Sequence, residues 1–452
     1  MQKTKSKNYS LLSTLKHRIN GGMVLMTVAV LAMIIANSPL GDVYQDFWNY
    51  PVSLQIGDFN LFSHNGHPLT LMQFINDALM ALFFFSVGLE IKREVMVGEL
   101  SSLRKAMLPV IAAFGGMIFP VLLYFSVAHT SPESSGLAIP MATDIAFSLG
   151  VLSLFGKRVP LSLKVFLTAF AVVDDIGGIL VIAFFYTSDL ATSYLLASAV
   201  VLAILYLGNR LGVMHRIFYI GFGIMMWYFF LQSGIHCTIA GVIIAFMIPA
   251  KPRLHVTHYV NRIRESISKF PNFDKKEGEK IVLDPAQINE LKSIEAASNR
   301  VISPLQSLEN SMHGWVNYFI MPLFAFANAG VVLSGGTETF GTVTLAVFLG
   351  LTVGKFIGVY SFTFLAIKLR LVNMPTGMTW KNLSGIALLG GIGFTVSLFI
   401  ANLSFANGHA DLLNQAKLGV LLGTITAGLL GYIVLNIVLP KEDVVEEKEA
   451  AK

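Results

Sequence analysis

The stretch Leu161–Tyr186 reads LSLKVFLTAFAVVDDIGGILVIAFFY and carries two adjacent acids, Asp174 and Asp175, near its centre. It is almost wholly apolar and long enough to cross a hydrocarbon core about 30 Å thick, which indicates a membrane-spanning helix. An ionised side chain at the centre of such a helix costs about 2.5–3.5 kcal/mol even on a lenient insertion scale. Since one interhelical hydrogen bond does not require two adjacent acids, we expect the pair to be functional.

The composition of the whole chain is that of a membrane protein. Of its 452 residues, 54% are hydrophobic and 13% are charged, and the mean hydropathy is +0.66. A soluble domain carries about 45–50% apolar and about 25% charged residues, so the excess apolar surface must face lipid. This excludes a disordered, fibrous or disulfide-built protein and argues strongly against a soluble enzyme. The single cysteine, Cys237, cannot form an internal disulfide.

Twelve apolar stretches recur along the chain, each close to the length of a membrane helix. Lys and Arg cluster in alternate connections, which predicts that both termini and every even-numbered connection are cytoplasmic. The net charge of +5 is therefore interpreted as a topology signal, with no nucleic-acid partner. The predicted spans lie near Gly22–Ile35, Leu69–Leu89, Ala106–Ala128, Leu137–Phe155, Leu161–Tyr186, Leu190–Leu207, Ile217–Leu231, Ile235–Ile248, Trp315–Leu333, Thr342–Ile367, Leu383–Leu403 and Leu418–Val438.

These spans predict one transporter domain, residues 22–440, between a cytoplasmic N-terminus (1–21) and a charged cytoplasmic tail (441–452). A hydrophilic insert, 251–313, separates the eighth span from the ninth. Apolar residues recur at helical spacing over Val256–Ile267 and Ile288–Val301, and Asp284–Gln287 resembles a capping box with proline at the first helical position. Two interpretations stay open: an amphipathic helix on the cytoplasmic membrane surface, or a regulatory or partner-binding domain.

Two predicted spans carry signals of interruption. Pro140 removes a helical donor shortly before Thr143 and Asp144, and the glycines of Gly390–Gly393 weaken the eleventh span. Two interrupted helices at corresponding positions of two halves are the sequence signature of a transporter binding site. We expect Asp144 to compensate the positive N-terminal ends of broken helices. For Lys355, two roles are open: compensating negative helix ends, or a direct ion pair with Asp174.

The remaining ionisable residues lie towards the ends of spans. Asp77 is expected to line an outer funnel or to make a hydrogen bond within the bundle. Glu90 and Glu94, with their basic neighbours, either collect cytoplasmic cations or anchor the helix at the headgroups. His236 and His313 begin the eighth and ninth spans, where a histidine is either interfacial or a group that titrates near neutrality.

Taken together, six strings of this sequence resemble those of the NhaA-type sodium/proton antiporters, in order, over about Leu12 to Leu439. The strings are FFFSVGLEIKRE (Phe83–Glu94), ATDIAF (Ala142–Phe147), AVVDDIGG (Ala171–Gly178), PLFAFANAG (Pro322–Gly330), GK (Gly354–Lys355) and GIGFT (Gly391–Thr395). The resemblance implies an all-α membrane protein of twelve spans, with inverted-topology repeats and two interrupted, crossing helices in spans 4 and 11.

The resemblance also implies a function. It implies a secondary transporter of the bacterial inner membrane, neither an enzyme nor cofactor-dependent, which exports Na⁺ or Li⁺ for more than one proton by alternating access. Such an exchanger is electrogenic and pH-regulated, and the family forms homodimers in the bilayer. Two departures are visible: the insert after the eighth span is longer than in the best-known members, and Asn310 stands where they have a histidine.

Residue by residue, the resemblance implies four groups of roles. Asp174 and Asp175 hold Na⁺ or protons, with Thr143 beside them. Asp144 and Lys355 balance the helix ends, and Lys355 is alternatively a proton carrier. Asp77 lines the outer pathway. The pH-response group comprises Glu90, Arg93, Glu94, His236, Glu309 and His313.

Two other functions would also use acidic residues or sodium within a membrane bundle. A sodium-coupled solute symporter of related fold would show sodium-dependent uptake of an organic solute. An intramembrane aspartyl protease also needs two acids in a membrane cavity, but it normally places them on separate helices, and the sequence has no Gly-x-Gly-Asp string. Asp144 with Asp175 is the one pairing that would suit it.

Overall fold

The computed structural model describes residues 21–57, 59–64, 67–187, 190–250, 256–269, 285–332, 340–405 and 408–440. The predicted N-terminus to residue 20, Asp284 of the capping-box pattern and the tail 441–452 lie outside these residues. The described chain is mostly helical. Its α-helices are α1 (Gly21–Ala36), α2 (Gly41–Trp48), α3 (Leu71–Phe74), α4 (Met80–Val97), α5 (Leu103–Val127), α6 (Ile145–Ser153), α7 (Leu161–Phe185), α8 (Thr192–Arg210), α9 (Arg216–Ser233), α10 (Thr238–Met247), α11 (Val256–Lys269), α12 (Pro285–Val301), α13 (Pro304–Trp315), α14 (Met321–Asn328), α15 (Thr342–Leu349), α16 (Lys355–Lys368), α17 (Trp380–Leu389), α18 (Phe394–Phe405) and α19 (Ala410–Val438).

Within the described residues, three π-helical segments and four short 3₁₀ turns accompany the α-helices. The π segments Ile75–Leu79, Val316–Ile320 and Gly350–Gly354 join α3 to α4, α13 to α14 and α15 to α16. The 3₁₀ turns are Glu99–Ser101, Glu133–Gly136, Ile139–Met141 and Gly156–Arg158. Single π turns inside α-helices are frequent at functional sites. Here one contains Asp77 and another ends directly before Lys355.

Among the described residues, six helices are long and apolar enough to cross a membrane: Leu71–Val97, Leu103–Val127, Leu161–Phe185, Thr192–Arg210, Thr342–Lys368 and Ala410–Val438. Three bent pairs raise the number to nine if each is one span. The pairs are Gly21–Ala36 with Gly41–Trp48 (114°), Glu133–Met141 with Ile145–Ser153 (43°), and Trp380–Leu389 with Phe394–Phe405 (44°). The other three predicted spans overlap α9, α10 and the α13–α14 helix. These helices do not meet the same criteria of length and hydropathy. The chain is therefore a multi-pass membrane protein.

The connection between α2 and α3 contains short strands that an all-α prediction leaves out. Strand β5 (His67–Thr70) pairs antiparallel with β1 (Pro51–Val52) and β4 (Ser63–His64). A separate hairpin pairs β2 (Gln55–Ile56) with β3 (Phe59–Asn60). Its turn includes Gly57 at φ 62°, a left-handed conformation that glycine adopts without steric cost. The sequence did not predict these strands, because their runs are too short for a clear period-two pattern, and the described chain remains mostly helical.

Glycines bring two pairs of helices into close contact. A side chain at Gly115 of α5 would meet the carbonyl oxygen of Gly358 in α16, and one at Gly358 would meet that of Gly115. Gly241 of α10 lies in the same way against the carbonyl oxygen of Ala81 in α4. Small residues at such crossings allow close backbone packing where lipid offers no hydrophobic driving force. The first crossing helps to position α16, and with it Lys355.

The hydrophilic insert contains α11 and α12, at the two stretches where the sequence predicts amphipathic helices. Helix α12 begins at Pro285, the position expected for a proline in a first helical turn. The last helix of the insert, α13, begins after Ser303, whose hydroxyl accepts a hydrogen bond of 3.2 Å from Gln306 N, and it ends at Trp315, two residues past the predicted boundary.

Candidate functional site

The adjacent acids of α7 lie in the interior of the protein. Asp174 is 2% exposed and Asp175 is 4% exposed. Lys355, which has no solvent-exposed surface, donates a hydrogen bond from Nζ to Asp174 Oδ2 at 2.7 Å and another to the carbonyl oxygen of Met141. The direct ion pair considered from the sequence is therefore present. Among the described residues, Asp174 Oδ1 and Asp175 Oδ1 are buried without a hydrogen-bond partner.

Asp144 joins the two helices that begin after the chain breaks. Its Oδ1 accepts a 3.0 Å hydrogen bond from Phe147 N and caps α6. Its Oδ2 accepts hydrogen bonds from Thr395 N at 3.2 Å and from Thr395 Oγ1 at 2.6 Å, in the first turn of α18. One buried carboxylate thus faces two helix N-termini, where negative charge is stabilised.

Side chains also close the carbonyl ends of the same breaks. Thr143 Oγ1 donates to Gly390 O at 2.7 Å, and Ser148 Oγ donates to Leu389 O at 2.9 Å. In the opposite direction, Ser397 Oγ of α18 donates to Ile139 O, in the 3₁₀ turn before the other break, at 2.7 Å. Since unpaired backbone groups are costly away from water, these contacts explain how non-helical backbone is tolerated inside the bundle.

Asp144→Ala should remove two helix caps at once. A lost cap costs about 0.5–2 kcal/mol, so we expect a loss of about 1–4 kcal/mol in the free energy of unfolding. Asp144→Asn keeps one acceptor oxygen and should lose about half as much. Denaturation of the purified protein in detergent measures both. Ser303→Ala, which removes the single cap of α13, is the control, and equal losses for Asp144→Ala and Ser303→Ala would contradict the double cap.

Two cavities approach the acids, and they share no lining residue. The Glu90 cavity, of about 320 Å³, runs from Glu90, Arg93, Glu309 and His313 to a group of four residues deeper in the protein. The Asp77 cavity, of about 960 Å³, is lined by residues that include Asp77, His236, Cys237 and Asn402. The deep group of the Glu90 cavity is Thr143, Asp144, Asp175 and Thr395.

The linings of the two cavities come within two residues of each other along the chain. Met141 lines the Asp77 cavity, and Thr143 lines the Glu90 cavity. Of these two cavities, Asp175 lines the Glu90 cavity, and Asp174 lines neither. In this structure Asp175 therefore adjoins the Glu90 cavity and not the Asp77 cavity.

Most of the predicted pH-response residues lie together beside the Glu90 cavity. Arg93 Nε lies 2.7 Å from Glu309 Oε1, and Arg93 Nη1 lies 2.8 Å from Glu94 Oε1. Glu90 and His313 line the same cavity. The sixth predicted member lies elsewhere, since His236 lines the Asp77 cavity, with Nε2 3.6 Å from Asp77 Oδ1.

Two polar features of the interior are not predicted by the positions of charged residues in the predicted spans. Lys417, 7% exposed, lies within α19, which begins at Ala410 rather than near Leu418, so the predicted span began one residue after Lys417. Three asparagines also form a chain: Asn402 Nδ2 donates to Asn328 Oδ1 at 2.8 Å, and Asn328 Nδ2 donates to Asn76 Oδ1 at 2.9 Å. Asparagine in an apolar span is the signal that would have found this chain.

Comparison with known proteins identifies the family. The model of the family described as Na⁺/H⁺ antiporter 1 matches residues 13–435. The chain belongs to this family. It is 65% identical over 438 residues to a protein named Na⁺/H⁺ antiporter NhaA from Phocaeicola vulgatus, covering 96% of this chain and 97% of that one. Proteins of the same name from Bacteroides fragilis (62% identity, 94% and 96% coverage) and Porphyromonas gingivalis (49%, 95% and 96%) are similar over nearly their full lengths.

Family membership confirms the resemblance drawn from the six sequence strings. For this member of the antiporter family, four of the strings meet around the buried acids. Asp174 and Asp175 come from the fifth predicted span, Asp144 from the fourth, Thr395 from the eleventh and Lys355 from the tenth. The family match covers the insert as well as the helices on either side of it.

Proposed function

We propose that this protein exports Na⁺, with Li⁺ as a surrogate, in exchange for more than one proton per cycle. The observation that carries the proposal is the pair of adjacent, buried carboxylates with two unsatisfied oxygens, one of which belongs to Asp175, a residue that lines the Glu90 cavity. Carboxylate oxygens are the ligands that hard cations prefer, and the same oxygens take protons. Family membership supports the choice of Na⁺ and H⁺.

In the proposed cycle, Asp174 and Asp175 bind either Na⁺ or protons, and Thr143 completes the site from the broken fourth span. Lys355 neutralises the charge of Asp174 while Na⁺ is absent, and this ion pair breaks when Na⁺ binds. The net charge moved per cycle makes the exchange electrogenic. The ion pair at 2.7 Å and the location of Thr143 on the same cavity as Asp175 support these roles.

We propose the twelve-span architecture of the family, with inverted repeats and with spans 4 and 11 interrupted and crossing. The support is the pair of bent helices with breaks bridged by Asp144, Thr143 and Ser397. Asp144 then balances two N-terminal helix ends within the bilayer. A rearrangement of these breaks would alternate access between the two cavities.

The proposed orientation follows from the distribution of Lys and Arg. Both termini and the insert face the cytoplasm. The resemblance to the antiporter family adds two further parts of the proposal, a location in the bacterial inner membrane and a homodimer. The Glu90 cavity then opens to the cytoplasm, and Glu90, Arg93, Glu94, Glu309 and His313 respond to cytoplasmic pH. The Asp77 cavity is the outer pathway, where His236 responds to pH.

Competition between the two ions at the same carboxylates gives a direct test. The apparent affinity for Na⁺ should fall as the pH drops, by up to about tenfold per pH unit for each competing proton. Sodium titrations of exchange in inside-out membrane vesicles, at a series of fixed pH values, measure this dependence. A sodium affinity that stays the same from acidic to alkaline pH would refute the shared site.

The aspartyl-protease alternative finds no support in the geometry. Both carboxylate oxygens of Asp144 already accept hydrogen bonds from helix N-termini and Thr395, so Asp144 is committed to the fold rather than free to activate water. Sodium-dependent uptake of an organic solute, without proton exchange, would instead indicate the symporter.

A further inference from the structure

Three different metal-ligating side chains meet on the wall of the Asp77 cavity. Asp77 lies in the π segment of the Leu71–Val97 helix, and His236 and Cys237 lie between α9 and α10. A carboxylate oxygen, an imidazole nitrogen and the sulfur of these residues all lie within 4.8 Å of one another. Cys237 is the single cysteine of the chain.

The spacing suits a tetrahedral metal ion. Zn²⁺ binds histidine nitrogen and carboxylate oxygen at about 2.0–2.2 Å, which places two such ligand atoms about 3.4 Å apart. His236 Nε2 and Asp77 Oδ1 are 3.6 Å apart. Two protein ligands are therefore almost in place, and the thiol has to move by a short distance.

The surroundings leave the sulfur and one ring nitrogen available. The Cys237 thiol donates to the carbonyl oxygen of Asp77 at 3.3 Å, but Trp227 Nε1 also donates to that oxygen, at 3.2 Å. Loss of the thiol proton therefore leaves the carbonyl paired. His236 Nδ1 accepts a 3.4 Å hydrogen bond from Thr238 N and lies 2.9 Å from Thr238 Oγ1, and Nε2 faces Asp77. A metal ion on Nε2 requires the tautomer with its proton on Nδ1, and Thr238 Oγ1 lies where it can accept that proton in a hydrogen bond, as the partner of a metal-binding histidine does.

We propose that Asp77, His236 and Cys237 form a binding site for a borderline or soft divalent metal ion, Zn²⁺ or Cd²⁺, open to the Asp77 cavity. The metal–sulfur bond forms as the thiol proton passes to water in the cavity, and a water molecule supplies the fourth ligand. Sodium exchange has no use for a thiolate, because hard cations take oxygen ligands. The site is thus distinct from the Na⁺ site at Asp174 and Asp175. If the proposed exchange is correct, an ion bound here obstructs the outer pathway.

Cadmium provides the probe, because thiolate bound to Cd²⁺ absorbs in the ultraviolet, where the free ion does not. We expect titration of the purified full-length protein in detergent with Cd²⁺ to give this absorption, saturating at one ion per chain. Cys237→Ser should abolish it. His236→Ala and Asp77→Asn keep the thiol, and each should weaken Cd²⁺ binding at least about tenfold. His129→Ala, at an exposed position outside the cavity, is the matched histidine control and should bind as the native protein does.

Each outcome decides the proposal. If the absorption requires Cys237 but is unchanged in both His236→Ala and Asp77→Asn, Cd²⁺ binds to the thiol alone, and the proposed three-residue site is refuted. Absence of the absorption in the native protein also overturns it. Displacement of Cd²⁺ by Zn²⁺ supports it. Inhibition of exchange by Cd²⁺ added on the side of the Asp77 cavity, lost in Cys237→Ser, tests the effect on transport. Because the binding measurement needs no transport, its failure is distinguishable from failure of the proposed exchange.

Discussion

Asp175→Asn should reduce sodium-driven proton movement to the level of vesicles that lack the protein. The substitution keeps the size of the side chain but removes both the charge that attracts Na⁺ and the group that takes a proton. In inside-out vesicles from cells without other antiporters, respiration builds a proton gradient that a pH-sensitive dye reports. Added Na⁺ should collapse this gradient in the native protein only.

Stability separates loss of function from loss of folding in this experiment. Asp175 has no partner for Oδ1 among the described residues and adjoins a second buried acid, so an amide should leave the thermal unfolding midpoint unchanged or raise it. Asp46→Asn is the matched control, because Asp46 is an exposed residue of α2. If Na⁺ also collapses the gradient in Asp175→Asn, the antiporter function stands, but Asp175 is not essential to the ion site.

Hydropathy and the distribution of Lys and Arg were enough to predict most of the helices. Pro140 and the glycines of Gly390–Gly393 located both breaks, because each removes a specific element of helix stability. The short strands β1 to β5 were missed, since segments of two to four residues show no usable alternation. The start of α19 was misplaced because polar residues precede its apolar core, and this error hid Lys417.

The sequence predicts those members of the candidate site that carry a charge within an apolar span, because an ionised group there has a high energetic cost. Charged residues in apolar spans identified Asp174, Asp144 and Lys355, and the structure brings all three to the helix breaks. Their partners were not predictable in the same way. Nothing in the local sequence shows that Asp144 meets Thr395, or that Cys237 lies beside Asp77, because these contacts depend on the packing of distant helices.

Lys355→Met should destabilise the protein strongly. The substitution leaves Asp174 buried without its cation, and breaking a buried ion pair from one side costs about 3–5 kcal/mol. The double variant Asp174→Asn/Lys355→Met removes both charges and should recover most of that loss, because a buried pair contributes little net stability once its desolvation is counted. Unfolding of the native protein, both single variants and the double variant, in the same detergent, gives the coupling energy.

The control for this cycle lies on the same helix. Lys368 is an exposed residue of the last turn of α16, so Lys368→Met makes the same chemical change without exposing a buried acid and should alter stability only slightly. If the double variant were as unstable as Lys355→Met, the loss would belong to the contact between Lys355 and Met141 O at the chain break rather than to the ion pair. The pair would then be a consequence of how Lys355 closes the broken helix. If the stability instead recovers in the double variant, Lys355 is buried in order to balance the charge of Asp174. That result predicts that Na⁺ bound at Asp174 replaces the Lys355 ammonium.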